Sequence, residues 1–137
     1  MKTERDIRDF LRRKGYLQDV ADYVVGKMKG YGYLDDEAYA RAYAESAGKR
    51  KGGRLIRMEL KRKGVSDQAI AAALSEGVDE GAAAKAALEK YLRGKKPDEK
   101  TLRKAYAHLM SRGFDYDTAR SALAGLRSDA DDEWEES

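Results

Sequence analysis

The densest chemistry in this chain is cationic. Between Lys49 and Lys63 stand eight bases, Lys49, Arg50, Lys51, Arg54, Arg57, Lys61, Arg62 and Lys63, against a single acid, Glu59. At 100° per residue, a helix over this segment sets Arg54, Arg57 and Lys61 within about 60° of one another and puts Ile56 and Leu60 on the opposite side. One face packs and the other is charged, a pattern suited to contact with phosphates or with an acidic protein surface. Lys49, Lys51 and the Gly52-Gly53 pair read as a flexible basic loop before the helix, and Arg50 extends the stripe if the helix begins early. Lys95 and Lys96 form a similar loop further on. The candidate binding set is therefore Lys49, Arg50, Lys51, Arg54, Arg57, Lys61, Arg62, Lys95 and Lys96. A merely solvated face is the competing explanation; the excess of bases over acids favours a polyanionic or acidic partner.

Other chemistries find little support. With no Cys, thiolate nucleophiles, redox pairs and Cys-based zinc sites are excluded, and the single histidine, His108, excludes two-His metal motifs. His108 has no nearby sequence partner for catalysis, and a surface position is expected. Asp35 and Asp36 are adjacent carboxylates, but acids at a helix start serve as caps, and that is the expectation here. Gly48-Lys49-Arg50-Lys51-Gly52-Gly53 does not match a phosphate-binding loop of the GxxxxGK[ST] type. Six of the nine tyrosines, Tyr16, Tyr23, Tyr31, Tyr33, Tyr39 and Tyr43, crowd into residues 16–43. Aromatics beside bases can stack on single-stranded nucleic acid, but their helical spacing favours packing in a core. No enzyme activity, cofactor or metal is expected.

The elements that position these residues follow from one repeated signal. Leu11-Arg12-Arg13-Lys14-Gly15-Tyr16, Leu60-Lys61-Arg62-Lys63-Gly64-Val65 and Leu109-Met110-Ser111-Arg112-Gly113-Phe114 place glycines at a constant interval of 49 residues. Each reads as a helix end: basic residues in the last turn, glycine at the left-handed C′ position, and an apolar C″ residue able to touch the leucine at C3. A second amphipathic stretch follows each glycine. A further helix precedes two of the copies, with Ala38, Tyr39, Ala42, Tyr43 and Ser46 expected on the buried face of the first and Ala83, Ala84, Ala87, Leu88 and Tyr91 on that of the second. Eight helices result, at about 3–14, 18–29, 35–47, 53–63, 67–76, 79–92, 98–112 and 116–127, with no period-two stretch long enough for a strand.

The expected fold class is all-α: tandem three-helix repeats forming an elongated curved rod, because stacked repeats touch mainly their neighbours. The division is 1–34 for a first repeat of two helices without its leading helix, 35–78 and 79–127 for two complete repeats, and 128–137 for an acidic tail. The tail carries six acids and Trp134, and leaves residues 1–127 with a net charge of +9. It is expected to be disordered and to favour solubility. No apolar stretch is long enough to cross a bilayer, and a cytoplasmic monomer is expected.

The joined segments Gly30-Tyr31-Gly32-Tyr33-Leu34-Asp35-Asp36-Glu37-Ala38-Tyr39-Ala40-Arg41-Ala42-Tyr43 and Gly52-Gly53-Arg54-Leu55-Ile56-Arg57-Met58-Glu59-Leu60-Lys61-Arg62-Lys63-Gly64-Val65 resemble the RecX family of bacterial recombination regulators. Gly113-Phe114-Asp115-Tyr116 is similar to that family's last repeat. The resemblance, over residues 1 to about 127, implies three tandem three-helix repeats lying in the groove of the RecA filament on DNA. It implies a non-enzymatic role that caps or destabilises the filament and lowers its ATPase, strand-exchange and coprotease activities. Its partners would be the RecA filament and single- or double-stranded DNA, directly or through the filament. Relative to the family, the leading helix of repeat one and its basic segment are missing. A helical nucleic-acid-binding protein that acts without RecA is the alternative.

Overall fold

A computed structural model describes residues 1–76 and 78–136, with side chains through Leu126. Among the described residues there are eight helices and no strand: α1 (Glu4–Arg13), α2 (Gln18–Gly30), α3 (Asp36–Ala47), α4 (Gly53–Arg62), α5 (Asp67–Ser75), α6 (Glu80–Leu92), α7 (Glu99–Ser111) and α8 (Tyr116–Glu136). The expected all-α repeat fold is the observed one.

The repeated helix-stop signal has the predicted geometry in all three copies. Gly15, Gly64 and Gly113 take φ values of +89°, +83° and +91°, a conformation that costs a residue with a Cβ about 1–2 kcal/mol. In each copy the C″ amide donates to the C3 carbonyl, Tyr16 to Leu11 at 3.0 Å, Val65 to Leu60 at 3.1 Å and Phe114 to Leu109 at 3.2 Å. The glycine amide closes the inner ring onto Arg12, Lys61 or Met110, so the carbonyls left over at each helix end are satisfied locally. Helix starts are equally explicit: Thr3, Ser66, Asp79 and Asp98 cap α1, α5, α6 and α7 through their side chains. Asp35 receives the Ala38 amide at the start of α3 and Asp115 the Thr118 amide at the start of α8.

The chain divides into two compact units. The first comprises Met1–Glu45 and Arg57–Gly77, the second Ser46–Ile56 and Val78–Ser137. In the first, α1 packs on α2, and Leu11, Ala21, Val25, Leu34, Ala40, Ala44, Leu60, Val65 and Ile70 are buried. In the second, α6, α7 and α8 pack pairwise around Ala83, Ala84, Leu88, Ala105, Leu109, Phe114 and Ala119. These units are not the sequence repeats, because the first turn of α4 packs with the repeat that follows it.

Two expectations need correction. On α3 the buried residues are Ala40, Ala44 and Ala47, while Ala42 and Ser46 are exposed and Tyr39 and Tyr43 half-buried. Alanines occur on several faces of this helix, so periodicity there does not single out the face of closest approach. Four of the crowded tyrosines, Tyr16, Tyr23, Tyr31 and Tyr33, are 55–73% exposed rather than core. Tyr23 lies two residues from both Ala21 and Val25, the buried pair of α2, which turns it about 200° from each. α8 is assigned to Glu136; the expectation of a disordered tail over 128–137, Trp134 included, falls on residues whose side chains lie outside those described.

A second kind of glycine constraint operates at Gly52. A Cβ there would run into the backbone of Gly113 and Phe114, whereas one at Gly15 meets nothing within 4 Å. Gly15→Ala should therefore lower the unfolding free energy by about 1–2 kcal/mol, the left-handed backbone cost alone. Gly52→Ala, which drives a methyl against main chain, should cost about 3 kcal/mol; urea denaturation of both variants measures the difference.

The cap of α1 links stability to acid. Thr3 and Asp6 form a capping box, with the Thr3 amide donating to Asp6 at 3.2 Å and the Asp6 amide donating back to the hydroxyl at 3.2 Å. Burial pushes the Asp6 carboxyl up, but its hydrogen bonds with Thr3 and the Lys63 ammonium outweigh this and hold it below its usual value of 3.8. A depressed folded-state pKa contributes stability that is complete above 3.8 and lost as pH falls through the folded value. Thr3→Ala should cost about 1 kcal/mol at pH 7. Asp6→Asn should remove this part of the acid dependence when urea midpoints are compared at pH 7 and pH 3.

Candidate anion-binding site

The basic segment is sorted by the structure into residues that hold the fold and residues that face outward. Ile56 and Leu60 are fully buried, and Arg54, Arg57 and Lys61 lie on the exposed side of α4, as helical phase requires. Arg54, however, has a partner: its guanidinium donates to the Met110 carbonyl at 2.6 Å. The same contact occurs 49 residues earlier, where Arg5 donates to the carbonyls of Lys61 at 3.5 Å and Arg62 at 3.3 Å. Arg54 is thus an anchor on the last turn of α7, while its side chain stays exposed. The regular interval between Arg5 and Arg54 is a signal in the sequence that could have revealed this.

Main chain completes the anchor. The Gly52 amide donates to Arg112 at 2.9 Å and the Arg54 amide to Gly113 at 3.3 Å, while the Gly53 amide donates to the Glu80 carboxylate. In the first unit the Glu4 amide similarly donates to Asp36 at 3.0 Å. Asp35 and Asp36 therefore both serve as acceptors for helix starts, in line with the capping expectation. The positive end of one helix meets the negative end of another, and orphan amides and carbonyls satisfy each other.

The remaining candidates fall out as follows. Lys61 lies 3.3 Å from Asp67 in an exposed pair, which contributes little. Arg62 reaches the Met58 sulfur at 3.8 Å, Lys51 is half-buried and Lys96 is exposed. Arg57 is exposed; no hydrogen bond or ion pair engages its side chain among the described residues.

Lys49, Arg50 and Lys95 are brought together within the second unit, in an open cleft of about 510 Å³ that also receives Lys90, Arg93 and Arg112. None of these six cations has an ion pair among the described residues, and no carboxylate lines the cleft. Tyr91 and His108 form part of the wall, their rings stacked with centroids 4.7 Å apart and planes 22° from parallel. The Lys95 ammonium sits 3.6 Å from the Tyr91 ring centre, within cation–π range. Burial, followed by the charges of Arg112 and Lys95, holds the His108 imidazole below its usual pKa of 6.5. Both causes favour the neutral imidazole.

Local rules explain why these groups converge. Basic residues collect at the ends of α6 and α7, where helix C-termini favour them, and the anchoring of Gly52 and Arg54 on α7 brings loop 48–52 alongside. The carbonyls of Met110, Arg112 and Gly113 at that end are already bonded to Gly52 and Arg54. Sequence reasoning missed Lys90, Tyr91, Arg93, His108 and Arg112, because they come from separate helix ends. His108 is half-buried, a correction to its expected surface position.

Such an architecture defines a class, all-α proteins of tandem three-helix units. Residues 35–74 match the family description "RecX, second three-helix domain" and residues 79–123 match "RecX, third three-helix domain". The chain belongs to the RecX family. It is 36% identical over 131 residues to a regulatory protein RecX of Clostridium perfringens strain 13, covering 91% of this chain and 62% of that protein. It is 35% identical over 130 residues to one from Geobacillus kaustophilus, covering 90% and 48%. The chain therefore spans about half to three-fifths of the length of these relatives. Its fold is similar to the crystal structure of RecX from Lactobacillus salivarius, with a TM-score of 0.82 at 22% identity over 93% of this chain and 86% of that one. It is also similar to a second crystal structure of a regulatory protein RecX, with a TM-score of 0.80 at 26% identity over 89% and 64%.

The two arginines of α4 should separate by role. Arg54→Ala removes a charge-assisted bond to a helix end and should lower stability by about 1 kcal/mol, whereas Arg57→Ala should leave the urea midpoint unchanged. Equal midpoints would remove the structural role assigned to Arg54.

Proposed function

We propose that this chain is a non-catalytic regulator that engages the RecA filament on DNA and lowers its ATPase, strand-exchange and coprotease activities, acting as a cytoplasmic monomer. The observation that carries the reading is the set of cations without ionic partners among the described residues, Arg57 and the six that line the cleft, on a chain whose family relatives are named regulatory proteins. A RecA filament on DNA offers phosphate and acidic side chains together. Long-range attraction between such a surface and a basic partner speeds encounter and weakens with salt. Among the described residues no helix is long and apolar enough to cross a membrane, and no group of His, Cys, Asp or Glu is arranged to hold a metal.

The excess of base in residues 1–127 also supports a second reading, binding of nucleic acid without RecA. Neutralising three to five phosphates of a single strand would give a log–log salt slope of about −2 to −3.5.

Both readings have a direct test. Substoichiometric protein added to RecA on single-stranded DNA should reduce ATP turnover and filament length, and the triple variant Lys49→Glu, Arg50→Glu, Arg57→Glu should reduce the effect at least about tenfold while keeping its helical circular dichroism. Unchanged turnover with wild-type protein would reject the filament reading. Salt-independent or undetectable binding to naked DNA would reject the second.

A further inference from the structure

We infer that the cleft formed by loop 48–52, the end of α6 and the end of α7 is a phosphodiester site for the backbone of a nucleic-acid strand, and that protonation of His108 strengthens its grip. The inference deepens the proposed function by naming the ligand of one surface, and it needs no RecA.

The donor set points to the ligand. Lys49, Arg50, Lys90, Arg93, Lys95 and Arg112 can only donate hydrogen bonds, and a phosphodiester can only accept them. A peptide would bring its own backbone N–H groups, and no carboxylate lines the cleft to receive them. Three arginines offer planar forks suited to phosphate oxygens. Tyr91 is already engaged, since it packs on the core, stacks on His108 and carries Lys95. The six cationic side chains outnumber the rings, and contacts of that kind read a strand's backbone, not its sequence.

His108 supplies the proton dependence. Arg112, from the end of its own helix, and Lys95, from the segment after α6, act on it directly; Tyr91 stacks on its ring, and Lys49 and Arg50 from the loop, Lys90 from α6 and Arg93 line the same cleft. Burial, followed by the charges of Arg112 and Lys95, disfavours the imidazolium. An anion seated among these groups offsets the repulsion and favours the protonated form. By linkage, protonation then favours the anion by the same factor. Phosphodiesters do not titrate between pH 5 and 8, so the imidazole alone changes charge in the cleft.

Because His108 is the only histidine in the chain, its imidazole proton resonance reports on this cleft without assignment. The experiment is a 1H NMR pH titration of the full chain, alone and with an eight-residue oligo-dT, octaglutamate or inorganic phosphate. Oligo-dT should raise the His108 pKa by about 0.5–1 unit, and its affinity should rise about three- to tenfold between pH 7.5 and 5.5. His108→Gln should abolish the pH dependence of binding. Lys49→Ala with Arg50→Ala, both on the exposed loop, should remove most of the His108 shift. Oligo-dT that binds without moving His108, or moves it equally in the loop variant, would overturn the assignment. An equal or larger shift with octaglutamate would assign the cleft to an acidic protein surface, and an equal shift with inorganic phosphate at the same concentration would remove the strand; either overturns it. A RecA assay without effect, beside a His108 shift with oligo-dT, would reject the proposed function and leave this site standing.

Discussion

The structure depends on a junction in which the start of one helix satisfies the end of another, one repeat later in the chain. At the second junction, Gly52 and Arg54 meet the last carbonyls of α7 through two amides and one guanidinium. At the first, Arg5 performs the guanidinium part on the last carbonyls of α4. Helix ends carry unpaired donors and acceptors that burial makes costly, and joining an N-terminus to a C-terminus answers both needs at once. Only glycine at position 52 lets the two main chains come this close.

That junction accounts for the compact units. Each contains the opening of a helix and the repeat on which it docks, and so α4 is divided, its first turn in one unit and its remainder in the other. It also accounts for the cleft. Loop 48–52 is drawn to the end of α7 because Gly52 must reach Arg112, and Lys49 and Arg50 arrive beside His108 and Lys95 as a consequence. Arginines of this chain differ in what they bind. Arg5 and Arg54 bind carbonyls and hold helices together, whereas Arg50, Arg93 and Arg112 are left without acidic partners among the described residues. The proposed recognition surface is made of the second kind.

Much of the fold was legible because its signals are local. A glycine after a basic turn with a leucine three positions inside the helix end is a backbone instruction, and it produced the same pair of hydrogen bonds three times. Buried and exposed faces of α4 followed from strong contrast between aliphatic and charged positions. Periodicity misjudged α3, where alanine and tyrosine offer little contrast, and it placed in a core tyrosines that the turns and the outer face of α2 expose. It also read Arg54 as one base among eight, although its partner lies 56 residues away.

The sequence by itself determined where helices start and stop, that they recur every 49 residues, which face of α4 is apolar, and that the chain before its acidic end is strongly basic. These properties depend on neighbours within one or two turns, and short-range sterics and hydrogen bonding decide them. Tertiary structure alone decided which bases are bound to carbonyls and which stand open, and it alone gathered Lys49, Lys90 and Arg112 around one histidine. Charge acts through space, and the distances that matter here are set by how helix ends dock, which no local pattern of residues encodes.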